Sequence, residues 1–216
     1  MEILEAVEAR LVAVLGQVQA RAAVTFVGAE PVGILRLGPD QDDVVHYATV
    51  GMSARPMVDP AQAAPDHARG PRAELVLSIR RSGAGPVGRV AAPGSVEVID
   101  TVARRLAVLA MTPFVEGLVV RPGAGLDLGE PLWDGSAFTA VLIGAGGAPV
   151  ADLALAPPAA AIQFLPVLPM TPAEAAWKRI HGAEALRQRW LHHGVDLLDP
   201  HRRAVPLDGS PPRVPV

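Results

Sequence analysis

The sequence predicts an α+β (mixed α/β) fold. One mixed β-sheet is flanked by an N-terminal helix, a central helix and a C-terminal helix pair. Three observations predict this. Short β-branched runs and longer amphipathic runs alternate without the regular rhythm of a doubly wound sheet. Half of the 216 residues are hydrophobic but only 4% are aromatic, so a large core must be built from Ala, Val, Leu and Ile. No internal repeat or linker divides the chain. Residues 1–204 are therefore read as one domain, and 205–216, with four prolines, as a flexible tail.

Each element has its own signal. Ile3, Val7, Leu11, Val14 and Val18 share a helical face, which predicts a helix over residues 2–21. Residues 24–28, 33–37, 44–53 and 74–81 read as strands. "GPDQDD" (residues 38–43) reads as a turn between two of them. A loop rich in Pro, Ala, Asp and Gly spans residues 54–72, and a Gly/Pro loop spans 82–94. Ile99, Val102, Leu106 and Leu109 predict a helix over 95–111, ended by Thr112-Pro113. Residues 117–122, 138–144 and 161–170 read as strands. Thr171, Pro172 and Glu174 form a capping-box signature for a helix to about His181, with Gly182 after it. A second helix over 183–193 stops at Gly194, and "VDLLD" follows as a last strand or turn. Trp177, grouped with Ala173 and Ile180, and Trp190, grouped with Leu186, are expected core anchors.

Composition excludes several chemistries. The chain has no cysteine, so disulfides, thiolate metal sites and thiol catalysis are out. A formal charge of −3 gives no long-range attraction for nucleic acid or anionic membrane. Glycines and prolines interrupt the apolar stretch over 140–168, so no membrane span is expected. "MEILEAVEAR" carries acids where a secretory signal carries Lys or Arg, which predicts a cytoplasmic protein.

No catalytic or cofactor motif emerges. "GAGPVG" (residues 83–88) has dinucleotide spacing, but Pro93 would break the helix that must open there. The carboxylates of "GPDQDD" lack calcium-loop spacing. His181, His192, His193 and His201 lack zinc-ligand spacing, and the dipole at a helix C-terminus favours histidine by itself. None of the serines stands in a G-x-S-x-G turn. No metal and no cofactor are expected. An enzyme assembled from distant residues, such as His46, Tyr47, Asp199 and His201, stays open as an alternative, as does a structural scaffold.

The order of segments resembles the suppressor of fused domain, from about Val24 to Arg203. The matching positions are Tyr47, Thr49, Gly51, Ser53, Glu74, Leu75, Phe164, Leu165, Thr171, Glu174, Gly182, Leu186, Leu198, Asp199 and Arg202. The resemblance implies a non-enzymatic protein-binding module. In animals the family binds a transcription factor, gripped as an added β-strand between two domains; this chain is expected to carry the first domain alone. The Ala-, Arg-, Gly- and Pro-rich composition looks bacterial, and single-domain bacterial relatives resemble immunity proteins that neutralise secreted toxins. A protein partner, such as a toxin, is therefore expected. The expected contacts are the loop over 54–72 and its borders, Ser53, Arg55, Met57, Asp66, Arg69 and Glu74, with Asp199 and Arg202 as a second patch.

Overall fold

The computed structural model describes residues 3–25, 30–58, 69–81 and 101–207. Helix α1 runs over Ile3–Leu15 and buries Val7, Leu11 and Leu15, spaced four apart. It does not continue to residue 21. The chain leaves it at Gly16, whose φ of 91° is left-handed and favours glycine. From Val18 the burial alternates, and Val18–Val24 is strand β1. Val18 fits both periods, which hides this boundary in the sequence. Sheet pairing overrides the high intrinsic helix propensity of residues 19–23, Gln-Ala-Arg-Ala-Ala. Of the strand expected over 24–28, Val24 ends β1 and residues 26–28 lie outside the described residues.

Strands β2 (Val32–Leu37), β3 (Val44–Val50) and β4 (Arg72–Arg80) follow β1 in an antiparallel series. Later strands are β5 (Gly125–Asp127), β6 (Ala140–Ile143) and β7 (Ile162–Met170). β7 pairs in parallel with β4 and antiparallel with β6, and β6 pairs antiparallel with β5. Among the described residues these strands form one seven-stranded mixed sheet in the order β1-β2-β3-β4-β7-β6-β5. Its two edges are β1 and β5.

Helix α2 covers Thr101–Glu116 and includes Pro113. The sequence ends it at Thr112. Packing carries it one turn further: Pro113 is buried and Phe114 packs against the same core. Gly117, at φ 63°, then closes it. The strand expected over 117–122 does not form, and pairing resumes at β5. The start of the expected helix, residues 95–100, and the loop at 82–94 lie outside the described residues. Helices α3 (Pro172–His181) and α4 (Ala183–His192) meet at Gly182 as expected. "VDLLD" is a turn, with the Arg80 N–H donating to the Leu198 carbonyl at 2.8 Å.

Alternation in the central strands separates two cores. Tyr47, Leu75, Leu77 and Leu165 face α2, Trp133 and Phe138. Ala48, Val76 and Phe164 face α1. Near the β5 edge, Leu142 and Met170 pack under α3 and α4 with Trp177, Leu186 and Trp190. Ile180 does not join Trp177 in that core; it is 78% exposed. Among the described residues, no helix is long and apolar enough to cross a membrane.

Candidate functional site

Seven of the residues that carried the family resemblance, Thr49, Gly51, Ser53, Glu74, Thr171, Glu174 and Arg202, gather into two buried nodes. The first centres on Glu74 of β4. Its Oε1 accepts from the Gly51 N–H at 2.9 Å, the Ser53 N–H at 3.0 Å and the Ser53 hydroxyl at 2.6 Å. Its Oε2 accepts from the Thr49 hydroxyl, which itself accepts the Leu75 N–H at 2.8 Å. Gly51 stands at φ 118°, which turns its N–H inward toward the carboxylate. Arg72 donates to the Ser53 and Ala54 carbonyls at 2.7 and 2.8 Å. Burial pushes the Glu74 carboxyl up, against the pull of the Ser53 and Thr49 hydroxyls and two backbone N–H groups. The node pins a short 3-10 turn, Met52–Ala54, onto β4.

The second node centres on Glu174. Thr171 and Glu174 close the predicted capping box, with Glu174 N–H to Thr171 Oγ1 at 3.3 Å and Thr171 N–H to Glu174 Oε2 at 2.9 Å. Glu174 Oε1 also accepts from Trp190 Nε1 at 3.0 Å, Arg202 Nη1 at 2.8 Å and the Val205 N–H at 3.1 Å. Arg202 Nη2 reaches Glu174 Oε2 at 3.1 Å and the Pro169 carbonyl at 2.6 Å. Its guanidinium lies over the rings of Phe138 and Trp190. Burial pushes the Glu174 carboxyl up, but the bonds and charge of Arg202 prevail and hold it below the usual range. Val205 is buried and Arg189 Nη1 donates to the Pro206 carbonyl at 2.6 Å, so docked chain continues past residue 204. Residues 208–216 lie outside the described residues.

This geometry removes several expected contact residues from the surface. Ser53 and Glu74 are fully buried, Met57 is 2% exposed with its N–H on the Pro71 carbonyl, and Arg202 is 7% exposed. Ser53, Glu74 and Arg202 bond through their hydroxyl, carboxylate and terminal guanidinium nitrogens inside the domain, so reading a partner would require opening a node. Arg55 is exposed, 5.7 Å from the Phe114 ring, and Arg69 is exposed. Asp66 lies outside the described residues. Asp199 is half-buried, accepts the His201 N–H at 2.8 Å, and lines a shallow cavity with Arg80, Arg81, Asp196 and Pro200.

The alternative enzymatic set is not assembled as a unit. His46 and Tyr47 are neighbours on β3 and face opposite sides of the sheet. His46 Nδ1 lies 2.8 Å from Ser78 Oγ, and Nε2 lies 3.4 Å from Asp40 Oδ2. Asp40 also accepts the Asp42 and Val44 N–H groups at 2.9 Å, so this chain of bonds ties the predicted "GPDQDD" turn to β4. Among the described residues, no three His, Asp or Glu side chains are placed to hold a metal ion. His192 and His193 sit edge to face, and His181 lies against Trp177.

Sequence reasoning missed a further feature, at the β5 edge. Leu128 N–H donates to the Thr139 carbonyl and Ile143 N–H to the Ala124 carbonyl, both at 2.8 Å. Even-numbered residues thus pair with β6, and the ladder turns the N–H and C=O of Gly125 and Asp127 outward. Between this edge and α3 lies a cleft of about 330 Å³. Ala140, Met170 and Ala175 contribute apolar surface to it, and Lys178 and Arg179 bring positive charge. Burial pushes the Lys178 ammonium down. Three residues reading Gly-Leu-Asp carry no strand signature, so nothing in the sequence marks the edge.

A family model described as suppressor of fused protein matches residues 28–203. The chain belongs to the suppressor of fused family. No curated protein matches it at a significant level. Among solved structures, it is similar to a protein described as a suppressor of fused homologue from Neisseria gonorrhoeae. That match has a TM-score of 0.63 at 17% identity and covers 95% of this chain and 97% of the other. It is similar to a chain of a Sufu–Fu complex, with a TM-score of 0.64 at 12% identity, covering 94% and 92%. It is also similar to Drosophila Suppressor of Fused, with a TM-score of 0.63 at 13% identity. There it covers 94% of this chain and spans about half, 51%, of the other. In this suppressor of fused domain the resemblance residues Thr49, Gly51, Ser53 and Glu74, and again Thr171, Glu174 and Arg202, build the frame. The frame leaves β5 and its cleft open beside the second node.

Proposed function

We propose that this suppressor of fused domain is a non-enzymatic protein-binding module that takes an extended segment of its partner along β5. The observation that carries the reading is the sheet edge itself, with the Gly125 and Asp127 backbone groups turned outward beside a cleft. An extended chain satisfies such groups by adding a strand. A structurally similar chain was solved in a complex with Fu, which supports a protein partner as the ligand class. A secreted bacterial toxin as that partner fits the composition and the similarity to a Neisseria chain. Arg55 and Arg69, with Asp66 between them in the chain, form a second contact in this proposal.

The test is a photo-crosslinking residue at position 127, used in the native host to capture the partner, followed by calorimetry. Asp127→Pro removes an outward N–H and leaves the β6 pairing of its even-numbered neighbours. It should weaken partner binding at least tenfold, about 1.4 kcal/mol, with a small change in Tm. Unchanged affinity would exclude strand addition at β5. Protection of the host from a captured toxin would support the immunity role, and a captured partner without toxicity would remove it.

A further inference from the structure

We propose that the cleft between β5 and α3 selects a partner segment carrying a Glu or Asp side chain, with Lys178 as the residue that reads its carboxylate. This rests on the strand-addition reading above and names the chemistry of the segment that β5 takes.

Lys178 lies across the β5 edge. A Cβ built on Gly125 would stand 3.0 Å from Lys178 Nζ, so the absence of a side chain at 125 is what gives the ammonium its place. Among the described residues the Lys178 side chain makes no ion pair, hydrogen bond or ring contact. It is half-buried, and burial already disfavours its charge. An unpaired, partly desolvated ammonium gains from an arriving carboxylate more than a solvated one does. Arg179 beside it spends its Nε on the Ala175 carbonyl at 3.4 Å, and its terminal nitrogens are the second positive group at the mouth.

The rest of the cleft fixes the class of ligand. Ala140, Met170 and Ala175 offer apolar walls that suit the methylenes of a side chain. Asp127 also lines the cleft, with its Oδ1 on the Gly129 N–H at 3.0 Å. Two cations against one resident carboxylate leave net positive charge at the mouth, and the apolar walls favour a carboxylate carried on methylenes over phosphate, which has none. A strand laid along β5 alternates its side chains, so the residue beside Gly125 on the α3 side meets Lys178.

The experiment is an NMR titration of the ¹⁵N-labelled full chain with glutarate, its neutral counterpart glutaramide, and inorganic phosphate. Glutarate should shift the amides of Gly125, Leu126 and Lys178 saturably. Glutaramide should not, and phosphate should bind at least tenfold more weakly. Lys178→Gln should weaken glutarate at least tenfold with an unchanged amide spectrum elsewhere, and Lys178→Arg should restore most of it. No saturable shift, an equal response to glutaramide or phosphate, or full binding by Lys178→Gln would each overturn the proposal. The two readings fail separately. If Asp127→Pro weakens the captured partner while Lys178→Gln does not, carboxylate selection fails alone. If glutarate binds as described while Asp127→Pro leaves the partner unaffected, strand addition fails alone.

Discussion

Arg202 pairs with Glu174 across 28 residues of chain, Nη1 to Oε1 at 2.8 Å, with side-chain exposures of 5% and 0%. The contact joins the segment after α4 to the first turn of α3, and through the Pro169 carbonyl to the end of β7. It holds the α3–α4 hairpin against the sheet edge where β5 and its cleft lie.

Removing one partner of that pair should be costly. Arg202→Ala leaves the Glu174 carboxylate buried with its main counter-charge gone, and a broken buried pair costs about 3–5 kcal/mol. Urea denaturation should show that loss. Replacing both residues, Glu174→Gln with Arg202→Met, should recover part of it, because no charge is then stranded. A loss under about 1 kcal/mol for Arg202→Ala would mean that the node is solvated in solution.

Glu74→Gln tests the other node. An amide accepts at one oxygen only, and the three donors on Oε1 take it. Its NH₂ then faces the Thr49 hydroxyl, which already accepts the Leu75 N–H. The mismatch should cost about 1–3 kcal/mol in a chemical melt. Gly51→Ala should destabilise through a different cause. Its φ of 118° strains any side chain, at about 1 kcal/mol or more.

His46 should make stability fall in mild acid. Burial is the largest influence on it and pushes its pKa below the ordinary 6.5, although Asp40 pulls it back up. Between the folded value and 6.5 the unfolded chain binds more protons than the native one. Stability therefore rises with pH across that window and is lost as pH falls below 6.5. His46→Asn removes the titration, so the difference in unfolding free energy between wild type and variant should shrink toward pH 5. The comparison matters because the buried glutamates have opposite signs. Glu174, held low, contributes stability above 4.5 that is lost as pH falls. Glu74, pushed up, contributes stability below 4.5 that is lost as pH rises. A difference that stays constant with pH would show His46 to be solvated.

What the sequence revealed follows from the range of each interaction. The capping box at Thr171 and Glu174 spans three residues, and its local bonds are legible in the residue types alone. The buried strands around Tyr47, Leu75 and Leu165 are legible because β-branched and aliphatic runs have few other folds. The end of α1 was hidden because Val14 and Val18 satisfy a helical period while Val18 also starts an alternating one. Pro113 reads as a stop, yet core packing keeps it inside α2. The roles of Ser53, Glu74 and Arg202 were not legible, since their partners lie 21 to 28 residues away. Motif residues of this kind suggest a surface when read in order, and they are found in the core once paired. The β5 edge was invisible for the converse reason: it is defined by what does not pair with it.

Gly125→Ala connects that edge to the cleft. The added Cβ meets Lys178 Nζ at 3.0 Å, tighter than ordinary contact. The atom it meets is the far end of a flexible side chain, which can swing away at little cost. Gly125 also carries no left-handed φ, so alanine introduces no backbone strain. Tm should therefore hold or rise slightly, since alanine restricts the unfolded chain more than glycine does. Binding should move the other way. With Lys178 displaced, glutarate affinity should drop several-fold and the Lys178 amide should shift in the unliganded spectrum. The outward N–H of residue 125 is kept, so contacts made through the strand backbone alone should survive. A variant that loses both Tm and ligand would point to a packing role for Gly125. A variant that keeps full glutarate affinity would show that Lys178 reads the carboxylate from a position other than the one it occupies over β5.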